Sequence, residues 1–453
     1  MKQKIRIGCG AGFSGDRIEP AIVLAEKGEL DYLVLECLAE RTIALANKRK
    51  MADPTKGYDP LLERRIETLL PHLVKNNIRL ITNMGAANPI EGAKKIIEIA
   101  QKQGIKIKVA AIYGDNILDN PTLTDDDFVK FGNEDFAVEL IQKTSSPITI
   151  NSSLISANAY LGVEGILEAL QTDAQIIITG RVADPSLFLA PMIHEFGWKT
   201  DDYNLLGKGT VIGHLMECAG QITGGYFADP IKKTVENLEN LGHPFADIFP
   251  DGSAIISKVE GTGGIINLQT AKEQLLYEVI NPNEYYTPDV IADFTSVKLQ
   301  EIAKNQVKMT GGGGKTKPKN YKVSVGYKAF WQGEGEISYA GSSALERAKL
   351  AGEIIEKRLK SQFDEIQVDY IGQNSIFPNS EFQYQNSEIR LRVAAKAKTQ
   401  TEAALIGEEV EALYTNGPAG GGGVRKYVNE VIGIVSVLMD RNKVIPIVDY
   451  FES

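Results

Sequence analysis

His214, Glu217 and Cys218 fall within five residues of one another in the stretch GHLMECAGQITGGYFADP, Gly213 to Pro230. On a helix, positions i, i+3 and i+4 share a face, so the three side chains are predicted to project together. An imidazole and a carboxylate in one place suit general acid–base work, and a thiol next to a base suits nucleophilic attack. Neighbours on one helix stand side by side and seldom bond well. Cys218 therefore reads as a small buried hydrophobe, and His214 with Glu217 as one wall of a cleft. The glycines from Gly220 to Gly225 would let backbone come close to whatever that wall addresses. No metal set is indicated, because HxxE offers two ligands at most and HExxH is absent. His72 and His194 lie in helical patterns and read as structural.

Three further motifs bear polar groups. In GAGFSGDR, Gly10, Gly12 and Gly15 match GxGxxG after a strand, and Glu36 closes the next strand about 20 residues on. That is the spacing of a dinucleotide fingerprint, with Glu36 placed for a ribose hydroxyl. Asp16 and Arg17 follow at once, however, and a carboxylate there would crowd a pyrophosphate. The competing expectation is a glycine turn that aims Asp16 and Arg17 at a substrate. In TGRVADP, Arg181 and Asp184 follow a buried strand; the guanidinium suits a substrate carboxylate or phosphate, or an internal pair with Asp184. GGGGKT at Gly311 to Thr316 resembles a phosphate loop but lacks the GxxxxGK spacing and a following helix. It is expected to be a mobile loop.

Short apolar runs alternating with helical patterns position these groups. Strands are expected at 4–8, 30–36, 79–83, 105–112 and 174–179, with a further short one at 148–151. The helices between them are placed at 19–27, 38–50, 60–76, 90–103, 163–170 and 186–196. This order predicts an α/β fold, a doubly wound and mostly parallel sheet. Ligands of such sheets bind beyond the carboxyl ends of the strands, which puts Asp16, Arg17, Asn83, Asp115, Arg181 and Asp184 on one rim. After Pro230 the texture changes. From Tyr321 the pattern reads strand (321–327), strand (334–340), helix (343–359), strand (365–372), strand (389–395), helix (401–413). That predicts a second, smaller α+β domain of split-βαβ character with glycine-rich loops, over 231–453, beside an α/β domain over 1–230. NGPAGGGGVRK is expected to be loop, and the chain to end in a hairpin turning near 440–443.

Composition narrows the class. The 453 residues are 43% hydrophobic and 24% charged, as in a globular protein. A net charge of -10 without a basic block argues against a nucleic-acid partner. Three separated cysteines, Cys9, Cys37 and Cys218, suit a reducing compartment. No apolar run is long enough to span a membrane, so the expected setting is the cytoplasm.

GAGFSGDR, ITGRVADPSLFLAPMIHEFGW (178–198) and GHLMECAGQITGGYFADP together resemble the acyclic terpene utilisation (AtuA) family. DGSAIISKVEGTGG, KEQLLYEV, GEGEISYAG and GPAGGGG extend the resemblance over nearly the whole chain. It implies a role beside enzymes that degrade geraniol and citronellol through acyl-CoA intermediates. It supplies no residue roles. The combined expectation is a lyase, a hydratase or dehydratase, acting on a small acid or acyl-CoA, with cofactor unknown and assembly as a homo-oligomer. His214, Glu217 and Asp16 would be catalytic, while Arg17, Asn83, Asp115, Arg181 and Asp184 would bind substrate. The alternatives are an NAD(P)-dependent oxidoreductase using Gly10, Gly12, Gly15 and Glu36, and a non-catalytic subunit of a catabolic complex.

Overall fold

A computed structural model describes residues 2–119, 128–130, 154–376 and 387–453. The strand expected at 148–151 lies outside them. The chain folds as two units, Met1–Gly326 with Ile434–Ser453, and Tyr327–Gly433.

The first unit is built on a ten-stranded sheet. Its centre is five parallel strands, β1 (Ile5–Ala11), β2 (Tyr32–Leu35), β3 (Arg79–Thr82), β4 (Lys108–Tyr113) and β5 (Ile176–Thr179), in the order β1-β2-β3-β5-β4. The sequences YLVL and IIIT are buried at every position, as expected of parallel strands covered on both faces. Antiparallel strands extend both edges. Beside β1 come β6 (Pro244–Ile248), β7 (Ala254–Lys258), β9 (Gln306–Thr310) and β8 (Lys298–Ala303), and beside β4 comes β10 (Ile447–Glu452). The fold is therefore α/β, with a parallel centre inside a mixed sheet. The change of texture after Pro230 marks a change of strand direction, because β6 to β9 continue the same sheet; the break between units falls at Gly326 and Ile434.

Helices α1 (Glu19–Lys27), α2 (Glu40–Ala52), α3 (Leu62–Lys75), α4 (Pro89–Lys102), α5 (Glu164–Leu170), α6 (Ser186–Phe196), α7 (Tyr203–Glu217) and α8 (Leu268–Leu276) complete this unit. In α3, Leu62, Ile66, Leu69, Leu70 and Leu73 recur at helical spacing and join the core formed with Leu33, Leu80 and Ile178. Helix α7 is capped by Asp202, which accepts from the Leu205 N–H at 3.1 Å, and is buried along most of its length. It contains Gly207, Gly209 and Gly213, residues that weaken a helix by about 1 kcal/mol each. Close approach is the reason for the first. A Cβ on Gly207 would lie 1.9 Å from the Gly313 carbonyl oxygen. The run GGGGKT is thus a packing surface for α7 and not a free loop, and Gly313–Lys315 pairs with Ile291–Asp293 as a strand.

The second unit runs strand, helix, strand, strand, helix, strand. One long strand, Asn320–Ala340, leads into it and Gly422–Asp440 leads out; Ile366–Ile371 and Glu388–Ala397 lie between, with helices Ala344–Leu359 and Gln400–Asn416. The sheet order 366–371, 388–397, 320–340, 422–440 is that of a split βαβ unit. Both helices bury Ala348, Ile355, Ile406 and Val410 against Ile337, Leu391 and Val393. Three expectations are corrected here. The strands read at 321–327 and 334–340 are one, since Gly333 and Gly335 make room for the Gln400–Asn416 helix instead of turning the chain. Gly422 and Gly423 open a strand, not a loop, and the last strand pairs with β4, so no terminal hairpin forms.

Candidate functional site

The carboxyl ends of β1, β2 and β5 and the end of α7 border a cleft of about 700 Å³ within the first unit. Asp16, Glu36, Glu40, Asp184, Glu217 and Glu278 line it, against the cations Arg17 and Arg181. The cleft is acidic, which bears on every role assigned to it.

At the end of α7, His214 Nδ1 and Glu217 Oε1 stand 2.9 Å apart. A carboxylate only accepts, so in that form of the pair Nδ1 is the donor. His214 is 1% exposed and packs at a tilt against Tyr285 and Phe294, at ring distances of 5.3 and 5.4 Å. The Gln274 amide donates to the His214 carbonyl at 3.0 Å and steadies the helix end. Glu217 reaches the cleft and His214 stands behind it. Two atoms stay unsatisfied: His214 Nε2 and Glu217 Oε2 are buried and have no hydrogen-bond partner in the structure. Such atoms are uncommon in folded proteins and cost about 1–3 kcal/mol each. Cys218 caps α7 at its C-terminus, and burial pushes its thiol far above the ordinary range, with the Glu217 charge adding to the effect. The thiolate required of a nucleophile is disfavoured there.

The Gly10–Arg17 turn is closed on itself. Asp16 Oδ2 accepts from the Gly12 N–H at 2.6 Å and from the Phe13 N–H at 3.3 Å. In a dinucleotide fold such amides hold the pyrophosphate; here a carboxylate of the same loop takes them. Gly12 serves packing, since its Cβ would lie 2.5 Å from the Cys218 backbone. Strand order points the same way. The dinucleotide strand stands at a switch point in the order 3-2-1-4-5-6, whereas β1 is flanked by β2 and the antiparallel β6. Glu36, expected to meet a ribose, instead accepts from the Leu38 N–H at 2.9 Å and the Asn83 amide at 2.8 Å. These bonds favour the ionised form, but burial, reinforced by Asp184, outweighs them and holds Glu36 well above the usual carboxylate range.

The remaining predicted binding residues divide. Arg181 is 1% exposed and fully engaged. Its Nε donates to the Val182 carbonyl at 2.9 Å, its terminal nitrogens donate to Leu38, Val182 and Asp184, and its plane lies 4.5 Å over the Tyr160 ring. It holds the loop together. Asp184 is pushed up to about 6 by burial, with Glu217 adding and Arg181 opposing. Asn83 is buried and spans Glu36 and the Cys37 N–H, 2.7 Å away, so it positions Glu36. Asp115 is also buried; it accepts from Asn158 at 2.7 Å and from the Arg181 N–H at 3.1 Å and does not line this cleft. Arg17 donates to the Leu238 and Glu239 carbonyls at 3.2 and 3.0 Å while lining the cleft.

Several lining residues were not evident from the sequence, among them His243, Glu40 and Tyr160. His243 donates Nδ1–H to the Gly10 carbonyl at 3.2 Å, and burial lowers its pKa, so it is neutral with Nε2 as acceptor. Burial works against Glu40 ionising, yet the Tyr160 hydroxyl and Lys322 hold it down to about 2. Glu40 follows the carboxyl end of β2 and so lies on the expected rim, whereas Tyr160 follows Leu154–Ala159, a strand outside the ten-stranded sheet. His243 precedes an antiparallel strand, where the rim argument gives no signal. Among the described residues no group of three or more His, Cys, Asp or Glu is arranged to hold a metal ion.

These features define an α/β protein with an acid-lined cleft at the carboxyl ends of its central strands, backed by a buried histidine–carboxylate pair. The profile of the acyclic terpene utilisation family protein AtuA matches residues 5–450, and the chain belongs to that family. No curated protein and no solved structure matches it. No described helix is long and apolar enough to cross a membrane.

Proposed function

We propose that the protein is a lyase of acyclic terpene or branched carboxylic-acid breakdown that adds water to an unsaturated acyl group, or removes it. The observation that carries this reading is the His214–Glu217 pair, buried at one wall of the cleft with an open atom on each partner. Hydration of a C=C bond next to a carbonyl needs a base for water and an acid for the α-carbon, and no redox partner. Glu217 takes a proton from water as its oxygen bonds the β-carbon. A second carboxyl, kept neutral by its surroundings, delivers a proton to the α-carbon. Glu36 is the group assigned to this role, since burial favours its neutral form while Tyr160 and Lys322 favour the ionised form of Glu40 in the same cleft. His214 receives the charge change on Glu217 through the Nδ1 bond and keeps its carboxylate turned to the cleft.

The acidity of the cleft favours an uncharged acyl end, a thioester, over a free carboxylate. It also removes Arg181 from the role of anion grip, since its donors are spent on the protein. The test is turnover of a panel of branched α,β-unsaturated acyl-CoA thioesters and the matching free acids, followed by loss of the conjugated enoyl absorbance. The expected result is hydration of a branched thioester at a rate that Glu217→Gln lowers by about 10² to 10⁴. Equal turnover by wild type and a folded Glu217→Gln variant would overturn the assignment.

A further inference from the structure

A second cleft, of about 590 Å³, adjoins the first at Asp16, Arg17 and Leu241. Its lining is more balanced, with Arg17, Arg64 and Arg65 set among Asp16, Glu19 and Glu239. Arg65 is 2% exposed; its Nη2 donates to the Ser14 and Asp16 carbonyls at 2.9 and 2.8 Å, and its Nη1 is buried with no partner in the structure. The acids nearby do not complete that nitrogen. Asp16 Oδ2 is taken by the Gly12 and Phe13 N–H groups, Asp59 accepts from the Leu61 N–H at 2.8 Å, and Glu19 and Glu239 are exposed on the rim. Helix α1 also starts here, without a side-chain cap on its first turn. A buried guanidinium with an open N–H, two further arginines and a helix N-terminus suit a compact, multiply charged oxyanion.

We propose that this second cleft binds a phosphate or diphosphate group, the polar tail of the substrate whose acyl end lies in the acidic cleft. The identification of the tail rests on the acyl reading of that cleft; the anion site itself rests on Arg65. The arrangement separates the substrate's charges from the carboxylates that do the chemistry. Free inorganic phosphate has the same chemistry and is the other source of such a group.

The test uses the full chain and two readouts. Calorimetric titration with inorganic pyrophosphate is expected to show binding that Arg65→Gln weakens about tenfold or more. The second readout is the ratio of kcat/KM for an acyl-CoA thioester to that for the same acyl group on pantetheine, which carries no phosphate. That ratio is expected to fall about tenfold in Arg65→Gln, through KM. Arg65-dependent pyrophosphate binding with an unchanged ratio would retain the anion site and assign it to free phosphate, overturning the tail. If neither thioester is turned over but pyrophosphate binding depends on Arg65, the anion site stands and the lyase reading fails. Absence of pyrophosphate binding together with an unchanged ratio overturns the whole proposal. Should Arg65→Gln fail to fold, the double variant Arg17→Gln, Arg64→Gln, at exposed positions, decides by the same two readouts.

Discussion

The Gly10–Arg17 turn and the end of α7 face the same cleft, and each carries a motif rich in polar groups. The turn spends its hydrogen bonds internally: Asp16 takes the Gly12 and Phe13 amides, and the loop carbonyls of Ser14 and Asp16 hold Arg65. The α7 end leaves His214 Nε2 and Glu217 Oε2 open while bonding the two side chains to each other. The polar groups of the turn are partly exposed, whereas those of the α7 end are buried. The two also differ in the remaining capacity to bond something else, and the proposed division between a structural motif and a reactive one rests on that capacity. Arg181 teaches the same lesson, as a buried arginine with every side-chain nitrogen bonded, against Arg65, whose Nη1 has no partner.

The largest effect expected from breaking this contrast is on turnover. Glu217→Gln is expected to lower kcat by about 10² to 10⁴ with little loss of stability, measured by kinetics alongside urea unfolding. Arg181→Met is expected to do the reverse. It strands Asp184 and the Leu38 and Val182 carbonyls, and costs about 3–5 kcal/mol in urea unfolding. A raised KM with unchanged stability would instead restore Arg181 as a substrate anchor. Asp16→Ala, which frees the turn amides, is expected to cost about 1–3 kcal/mol. Because those amides are filled in the wild type, NADH fluorescence is expected to stay unchanged on adding the unmodified protein.

Much of this contrast was legible in the sequence, and the part that was not has a physical cause. Apolar runs such as YLVL and IIIT announce parallel strands, because both faces of such strands are covered. The rim residues follow from those strands, and Asp16, Arg17, Arg181, Asp184 and Glu217 do gather at one cleft. Pattern alone does not tell whether a rim residue points at solvent or at its own loop. Asn83 and Asp115 lie at the expected strand ends but are turned inward, to Glu36 and to the Arg181 backbone. Glycine is ambiguous for the same reason. GAGFSG matches a dinucleotide fingerprint and GGGGKT resembles part of a phosphate loop, yet Gly12 packs closely against the Cys218 backbone and Gly314 against the Tyr203 carbonyl and Gly207. His243 became a site residue only through the antiparallel strands that extend the sheet past β1.

The smallest expected effect sharpens the contrast through pH. Asp184 has a folded pKa of about 6 against an ordinary 3.8, raised first by burial and then by the Glu217 charge. A raised folded pKa means the folded state binds the proton more tightly. The contribution of Asp184 is thus fully present below about pH 3.8 and is lost as pH rises through about 6. Glu217→Gln removes one cause of the raised value, so the loss of stability across that window is expected to shrink in the variant. Thermal unfolding between pH 4 and 7, wild type against variant, reads the difference; identical profiles would mean that the two carboxyls do not sense each other.

The central claim is that Glu217, backed by His214, faces the reacting carbons of an acyl group. A crystal structure of the protein with a saturated 3-hydroxyacyl-CoA, the product of hydration, tests it most directly. The account expects the 3-hydroxyl within hydrogen-bond reach of Glu217 Oε2, about 2.6–3.2 Å, with the acyl chain in the acid-lined cleft. A product bound with its hydroxyl away from Glu217, or in the separate cleft beside Tyr113 and Lys443, would contradict it.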